Sequence, residues 1–155
     1  MIQRIQSLFL LLTSIMSLLF LNGKFLKFFN NSGTEYYMNF MGIWKTQTGE
    51  NPEIIASLIP LSVIILLICI LSFSAIFLFK KRKVQLKVAG IVILLTILFV
   101  GLILFYFFRV TGKFQAEPVP GFKMIIPFLI LISGILAYMG IKRDEKLVKS
   151  YERLR

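Results

Sequence analysis

Hydroxyl groups at Thr13, Ser14, Ser17, Ser57, Ser62, Ser72, Ser74, Thr96 and Ser133 stand inside long apolar runs. Such a hydroxyl can attack an acyl or phosphoryl group only if a nearby base takes its proton. The chain has no histidine, and no lysine lies in the middle of a run to play that part. Proton-coupled transport usually needs a carboxylate within the membrane, yet all seven Asp and Glu residues fall outside the runs. The single cysteine, Cys69, lies mid-run, so neither a disulfide nor a usual zinc cluster can form within one chain. No Gly-rich phosphate loop is present. The hydroxyls are therefore expected to bond a carbonyl one turn back or a neighbouring helix, and Cys69 to act as a small apolar filler. No enzymatic activity, cofactor, metal site or small-molecule substrate is expected.

Charge is the remaining candidate for function, and it is concentrated in two places. "KKRKVQLK" carries Lys80, Lys81, Arg82, Lys83 and Lys87, and nine of the last fourteen residues are charged. The net charge of +11 would suggest nucleic acid in a soluble protein. Here an apolar run on each side holds the 80–87 cluster at a bilayer surface, so it reads as a topology signal that also attracts anionic lipid, and no nucleic-acid partner is expected. In the tail, 100° per residue puts Leu147, Tyr151 and Leu154 on one stripe, with Val148 at its edge and charges on the other face. That stripe is narrow and acids interrupt the basic face, which favours docking on a protein over lying on lipid.

Hydrophobic residues make up 57% of the 155 residues, and mean hydropathy is +0.84, too apolar for an ordinary soluble domain. A spanning helix needs roughly 20 apolar residues. Runs of about that length cover 5–21, 54–79, 88–108 and 122–141. Without water to satisfy exposed backbone they should be helices, which predicts an all-α integral membrane protein, a four-transmembrane-helix bundle in a single domain over 1–155, with an amphipathic helical tail at 142–155. The first run resembles the charged and apolar parts of a signal peptide, but "NGKFLKFF" follows with no small-x-small cleavage pattern, so it is expected to stay as a helix. "GENPEII" reads as the start of the second helix, with Asn51 as cap and Pro52 in the first turn. Pro60 and Pro127 would then kink helices two and four. Lys and Arg number twelve at the termini and the 80–87 loop against six in and beside the loops 23–53 and 109–121, which predicts cytoplasmic termini and periplasmic loops. Loop 23–53 is aromatic, and "TEYYMNFMGIWKTQ" within it could pair as a short hairpin against the membrane.

"MIQRIQSLFLLL" at Met1 to Leu12 and "GIKRDEKLVKSYERLR" at Gly140 to Arg155 resemble the ends of a family of small four-helix membrane proteins of unknown function, typical of Bacteroidota. The resemblance implies the inner membrane of a Gram-negative cell and supplies no catalytic residue. The expected function is a non-catalytic accessory or structural subunit of a larger inner-membrane complex, in a setting such as envelope protein export or assembly. Its partners would be the lipid bilayer and other inner-membrane subunits. A small transporter or channel, using carbonyls exposed by Pro60 and Pro127 and serine hydroxyls rather than charges, is the alternative.

Overall fold

The computed structural model describes residues 3–30, 34–47, 51–114, 116–119 and 121–153. Four helices, α1 (Gln3–Leu21), α2 (Ile59–Phe77), α3 (Arg82–Phe114) and α4 (Ile126–Arg153), close a ring in which α1 and α3 each pack on both α2 and α4. Every helix buries one seam. In α1 it is Gln6, Leu10, Thr13, Ser17 and Phe20; in α2, Leu61, Ile65, Ile68, Ser72 and Ala75; in α3, Gln85, Ala89, Val92, Thr96 and Phe99. The steps alternate between four and three, the spacing that keeps one stripe facing its neighbours in near-parallel helix packing. Small residues Ala75, Ala89 and Ala137 let the helices approach around Leu10 and Ile141. The remaining faces are apolar too: Leu8, Ile15, Leu66, Ile70, Leu94 and Leu98 are all exposed. Burying such faces in a bilayer is the usual solution for a helix that is hydrophobic all round.

A five-stranded antiparallel sheet covers one end of the ring, in the order β4-β3-β2-β1-β5. Strands β1 (Leu26–Phe29), β2 (Glu35–Met38), β3 (Gly42–Thr46) and β4 (Glu53–Ser57) form a meander between α1 and α2. Strand β5 (Glu117–Val119), from the α3–α4 connection, adds to β1. Alternation sets the inner face. Leu26, Phe28, Tyr36, Met38 and Ile43 join the helix residues Phe20, Leu61, Phe99 and Ile130 in one buried cluster. Phe28 meets Phe107 with ring centroids 5.7 Å apart, and Tyr36 stacks on Phe114 at 4.7 Å. With 33 residues, α3 is about 50 Å long against about 30 Å of hydrocarbon. Its surplus turns at the C-terminal end become a wall for the sheet. Proline is tolerated at a sheet edge, and Pro118 lies in edge strand β5 opposite Phe28.

The all-α expectation is thus corrected, and so is the count of spanning helices. Three segments among the described residues, Ile59–Phe77, Arg82–Phe114 and Phe122–Val148, are long and apolar enough to cross a membrane; Ile5–Leu21 is shorter. The apolar run beginning at residue 54 does not open a helix. "EIIAS" is rich in β-branched residues that suit a strand. It pairs with β3, and the Leu58 N–H then donates to the Met41 carbonyl at 3.2 Å before α2 begins. Asn51, Pro52 and Glu53 accordingly do not start α2. Pro60 stands in the first turn of α2, where a missing N–H costs nothing, and Pro127 is the second residue of α4, directly after a 3-10 turn at Phe122–Ile125. Neither proline kinks a helix interior. The hairpin read within residues 34–47 does form, as β2 and β3.

Candidate functional site

The tail and the basic cluster lie at the end of the ring away from the sheet. As predicted for the tail, α4 continues without interruption from Ile126 to Arg153. At 28 residues it measures about 42 Å, so roughly two turns exceed the hydrocarbon thickness. Leu147 is 44% exposed and Val148 37%. Tyr151 belongs to the same helix, and Leu154 lies outside the described residues. The residues 80–87 are not a loop. Lys80 closes a 3-10 turn, Leu78–Lys80, and Arg82 already begins α3. Lys81 alone joins the two, its carbonyl accepting from the N–H groups of Val84 at 2.9 Å and Gln85 at 3.0 Å. Lys and Arg are good helix formers, so this cationic stretch extends α3 rather than breaking it. Lys81, Lys83 and Lys87 are exposed and Arg82 is half-buried.

Between tail and cluster the ring ends in polar side chains that composition did not single out. Gln6, Gln85 and Asp144 are each buried and, with Ser7, Arg82 and Ile141, line a cavity of about 10 Å³. Gln85 Nε2 donates to the Ala75 carbonyl at 3.0 Å, tying α3 to α2. Gln6 fits because residue 140 is glycine: a Cβ there would stand 2.8 Å from Gln6 Cγ. Gln6 could have been found from its seam spacing with Leu10, Thr13 and Ser17. Asp144 could not, because it falls in a stretch whose composition reads as solvated.

Several of the mid-run hydroxyls make the contacts expected of them, whereas Ser57 lies in β4 rather than a helix and the buried Ser72 Oγ has no hydrogen-bond partner among the described residues. Thr13 and Ser133 share a hydrogen bond at 2.9 Å between α1 and α4. Ser14 Oγ lies 3.5 Å from Cys69 Sγ between α1 and α2. Ser17 donates to the Thr13 carbonyl at 2.8 Å, Thr96 to that of Val92 at 2.7 Å, and Ser133 to that of Leu129 at 2.8 Å. These are bonds to the preceding turn. Among the described residues, no group of three or more His, Cys, Asp or Glu side chains could hold a metal ion.

On the sheet's outer face Tyr37 and Trp44 stack with centroids 6.2 Å apart and planes 5° from parallel, and Lys24 Nζ sits 3.6 Å above the Tyr37 ring. Asn39 fixes the turn beside them. Its Oδ1 accepts from the N–H groups of Met41 and Gly42 and from Trp44 Nε1, at 3.0, 2.9 and 3.0 Å.

Three membrane-length apolar helices with lipid-like outer faces, joined to a sheet at one end, define a multi-pass membrane protein. A family model described as "Domain of unknown function (DUF4293)" matches residues 2–154, and the chain belongs to that family. No curated protein and no solved structure matches the chain significantly.

Proposed function

We propose that the protein is a non-catalytic accessory subunit of a larger inner-membrane complex, docking a protein partner through the C-terminal part of α4. The observation that carries this reading is the overrun of α4: a continuous helix about two turns longer than the bilayer requires. It has Leu147 and Val148 exposed on a segment otherwise rich in charge. An amphipathic helix of this kind suits a groove on a partner, read through anchors at i, i+4 and i+7 such as Leu147, Tyr151 and Leu154. Lys80, Lys81, Arg82, Lys83 and Lys87 share that end of the molecule with the tail cations. By the positive-inside rule the tail and the basic turn then face the cytoplasm and the sheet faces the periplasm. The transporter or channel reading drew on carbonyls freed by mid-helix prolines and on serine hydroxyls; Pro60 and Pro127 lie at the starts of α2 and α4, and Ser17 and Ser133 bond carbonyls of their own helices.

The test is purification of the full chain in a gentle detergent with mass spectrometry of what co-elutes, in parallel with Leu147→Ser/Tyr151→Ser/Leu154→Ser. The parent should retain a reproducible partner that the triple variant loses while still inserting in the membrane. Co-purification unchanged by the triple substitution removes the tail from the interface.

A further inference from the structure

Lys123 begins far from Lys24 and Lys27 in sequence, yet the sheet brings the three together. The turn after α1 and the addition of β5 to β1 form a pocket of about 290 Å³ lined by these lysines, Phe25, Val119 and Phe122. The Lys123 ammonium donates to the Asn22 carbonyl. That contact depends on Gly23, whose φ of 73° favours glycine. A Cβ there would also stand 3.1 Å from Lys123 Nζ. Lys24 is held over the Tyr37 ring. Neutral partners thus orient two of the three cations without cancelling their charge. Among the described residues, Lys27 is the one of the three with an ion pair, to Glu35 at 3.8 Å, half open to solvent on the lysine side, where such a pair contributes little.

Directly beside this pocket is an apolar crevice. Phe25 is a wall of both, and Met124 and Pro127 continue the crevice from Lys123 toward the helices. It measures about 150 Å³ and is lined by Phe20, Val100, Ile103, Leu104, Phe107 and Phe128. Leu104 and Phe128 are exposed, so the crevice opens on the lipid-facing surface between α3 and α4. A cavity of that size lined by Leu, Ile and Phe is large enough for benzene and hence for several carbons of a chain. Phe122, a wall of the pocket, is 95% exposed and leaves a large apolar face open there.

We propose that this paired pocket and crevice is a binding site for an anionic glycerophospholipid, with Lys24, Lys27 and Lys123 around the phosphate and part of one acyl chain in the crevice between α3 and α4. Charge complementarity selects the occupant: a zwitterionic headgroup brings its own cation to three lysines, whereas phosphatidylglycerol brings net negative charge to apolar walls that a soluble anion would leave exposed. The site is on the sheet side of the molecule, independent of the tail.

Native mass spectrometry of the full chain in detergent tests this by titrating phosphatidylglycerol and phosphatidylcholine of equal chain length. Each lysine near an anionic surface contributes about a fivefold preference, so Lys24→Gln/Lys27→Gln/Lys123→Gln should weaken phosphatidylglycerol retention by about a hundredfold and Lys123→Gln alone by about fivefold. Phosphatidylcholine retention should be unchanged. Lys81→Gln/Lys83→Gln/Lys87→Gln, at the opposite end, should leave the tightest phosphatidylglycerol adduct intact, and Val100→Trp should weaken it by filling the crevice. Equal losses from both triple variants would mean diffuse attraction and overturn the proposal. So would displacement of the lipid by glycerol phosphate at matching concentration, which would make the occupant a soluble phosphate. If the triple variant fails to fold, judged by Trp44 emission, the single Lys123→Gln and Val100→Trp variants decide: no weakening in either overturns the site.

Discussion

Neighbouring phenylalanines on β1 offer a direct trial of how the sheet is held. Phe28 has 0% of its surface exposed and packs on Phe107 of α3, whereas Phe29 is 45% exposed on the opposite face. Truncating a core phenylalanine to alanine costs about 3–5 kcal/mol, because transfer energy and a residual cavity add. An exposed substitution usually stays within about 0.5 kcal/mol. For a protein of this size each kcal/mol moves the melting temperature by about 2–4 °C. Phe28→Ala should therefore lower Tm by roughly 6–20 °C, and Phe29→Ala by no more than about 2 °C. Trp44 is the only tryptophan and lies in β3, so its fluorescence on heating the detergent-solubilised protein reports the sheet itself. Equal melting temperatures for the two variants would refute the seating of β1 on α3 and with it the inner-face assignment.

Asn39→Ala should cost about 1–3 kcal/mol, because three donors lose one acceptor, and should red-shift Trp44 emission as its indole N–H turns to water. A double-mutant cycle of Thr13→Val and Ser133→Ala in the membrane-inserted protein should give a coupling of about 0.6 kcal/mol, the usual size for an interhelical hydrogen bond in lipid; a value near zero would mean that the two hydroxyls do not meet. In a Cys69→Ala background, cysteine at Met41 should react with an impermeant maleimide added to spheroplasts and cysteine at Lys146 should not, because the cations gather at the tail end. The reverse pattern would invert the topology.

Hydropathy made α2, α3 and α4 legible as membrane-length helices, because a continuous apolar run leaves backbone no other way to satisfy itself in lipid. It misjudged their ends. Arg82 to Lys87 and Arg109 to Lys113 look like loop on a hydropathy scale, yet they are helical: Lys, Arg and Gln favour helix in the first stretch, whereas in the second, where Thr111 and Gly112 do not, burial of Val110 in the core cluster goes with the helix. Strand β4 was hidden for the opposite reason: Ile54 and Ile55 are apolar and merge with the run of α2, and only pairing with β3 separates them. Strand β5 contains Pro118 and becomes a strand solely through β1, a long-range partner no local pattern announces. The tail was readable as a continuation of α4, on which Leu147 and Val148 are exposed. The convergence of Lys24, Lys27 and Lys123 was not, because it depends on the same remote pairing and on the backbone at Gly23.

The docking role of α4 is tested most directly by a photoreactive amino acid at Val148, illuminated in living cells, with the same probe at lipid-facing Ile135 as the reference. The account predicts a discrete protein adduct from position 148 that vanishes with Leu147→Ser/Tyr151→Ser/Leu154→Ser and is absent from position 135. Adducts to lipid alone at position 148, or a protein adduct that persists in the triple variant, would contradict it.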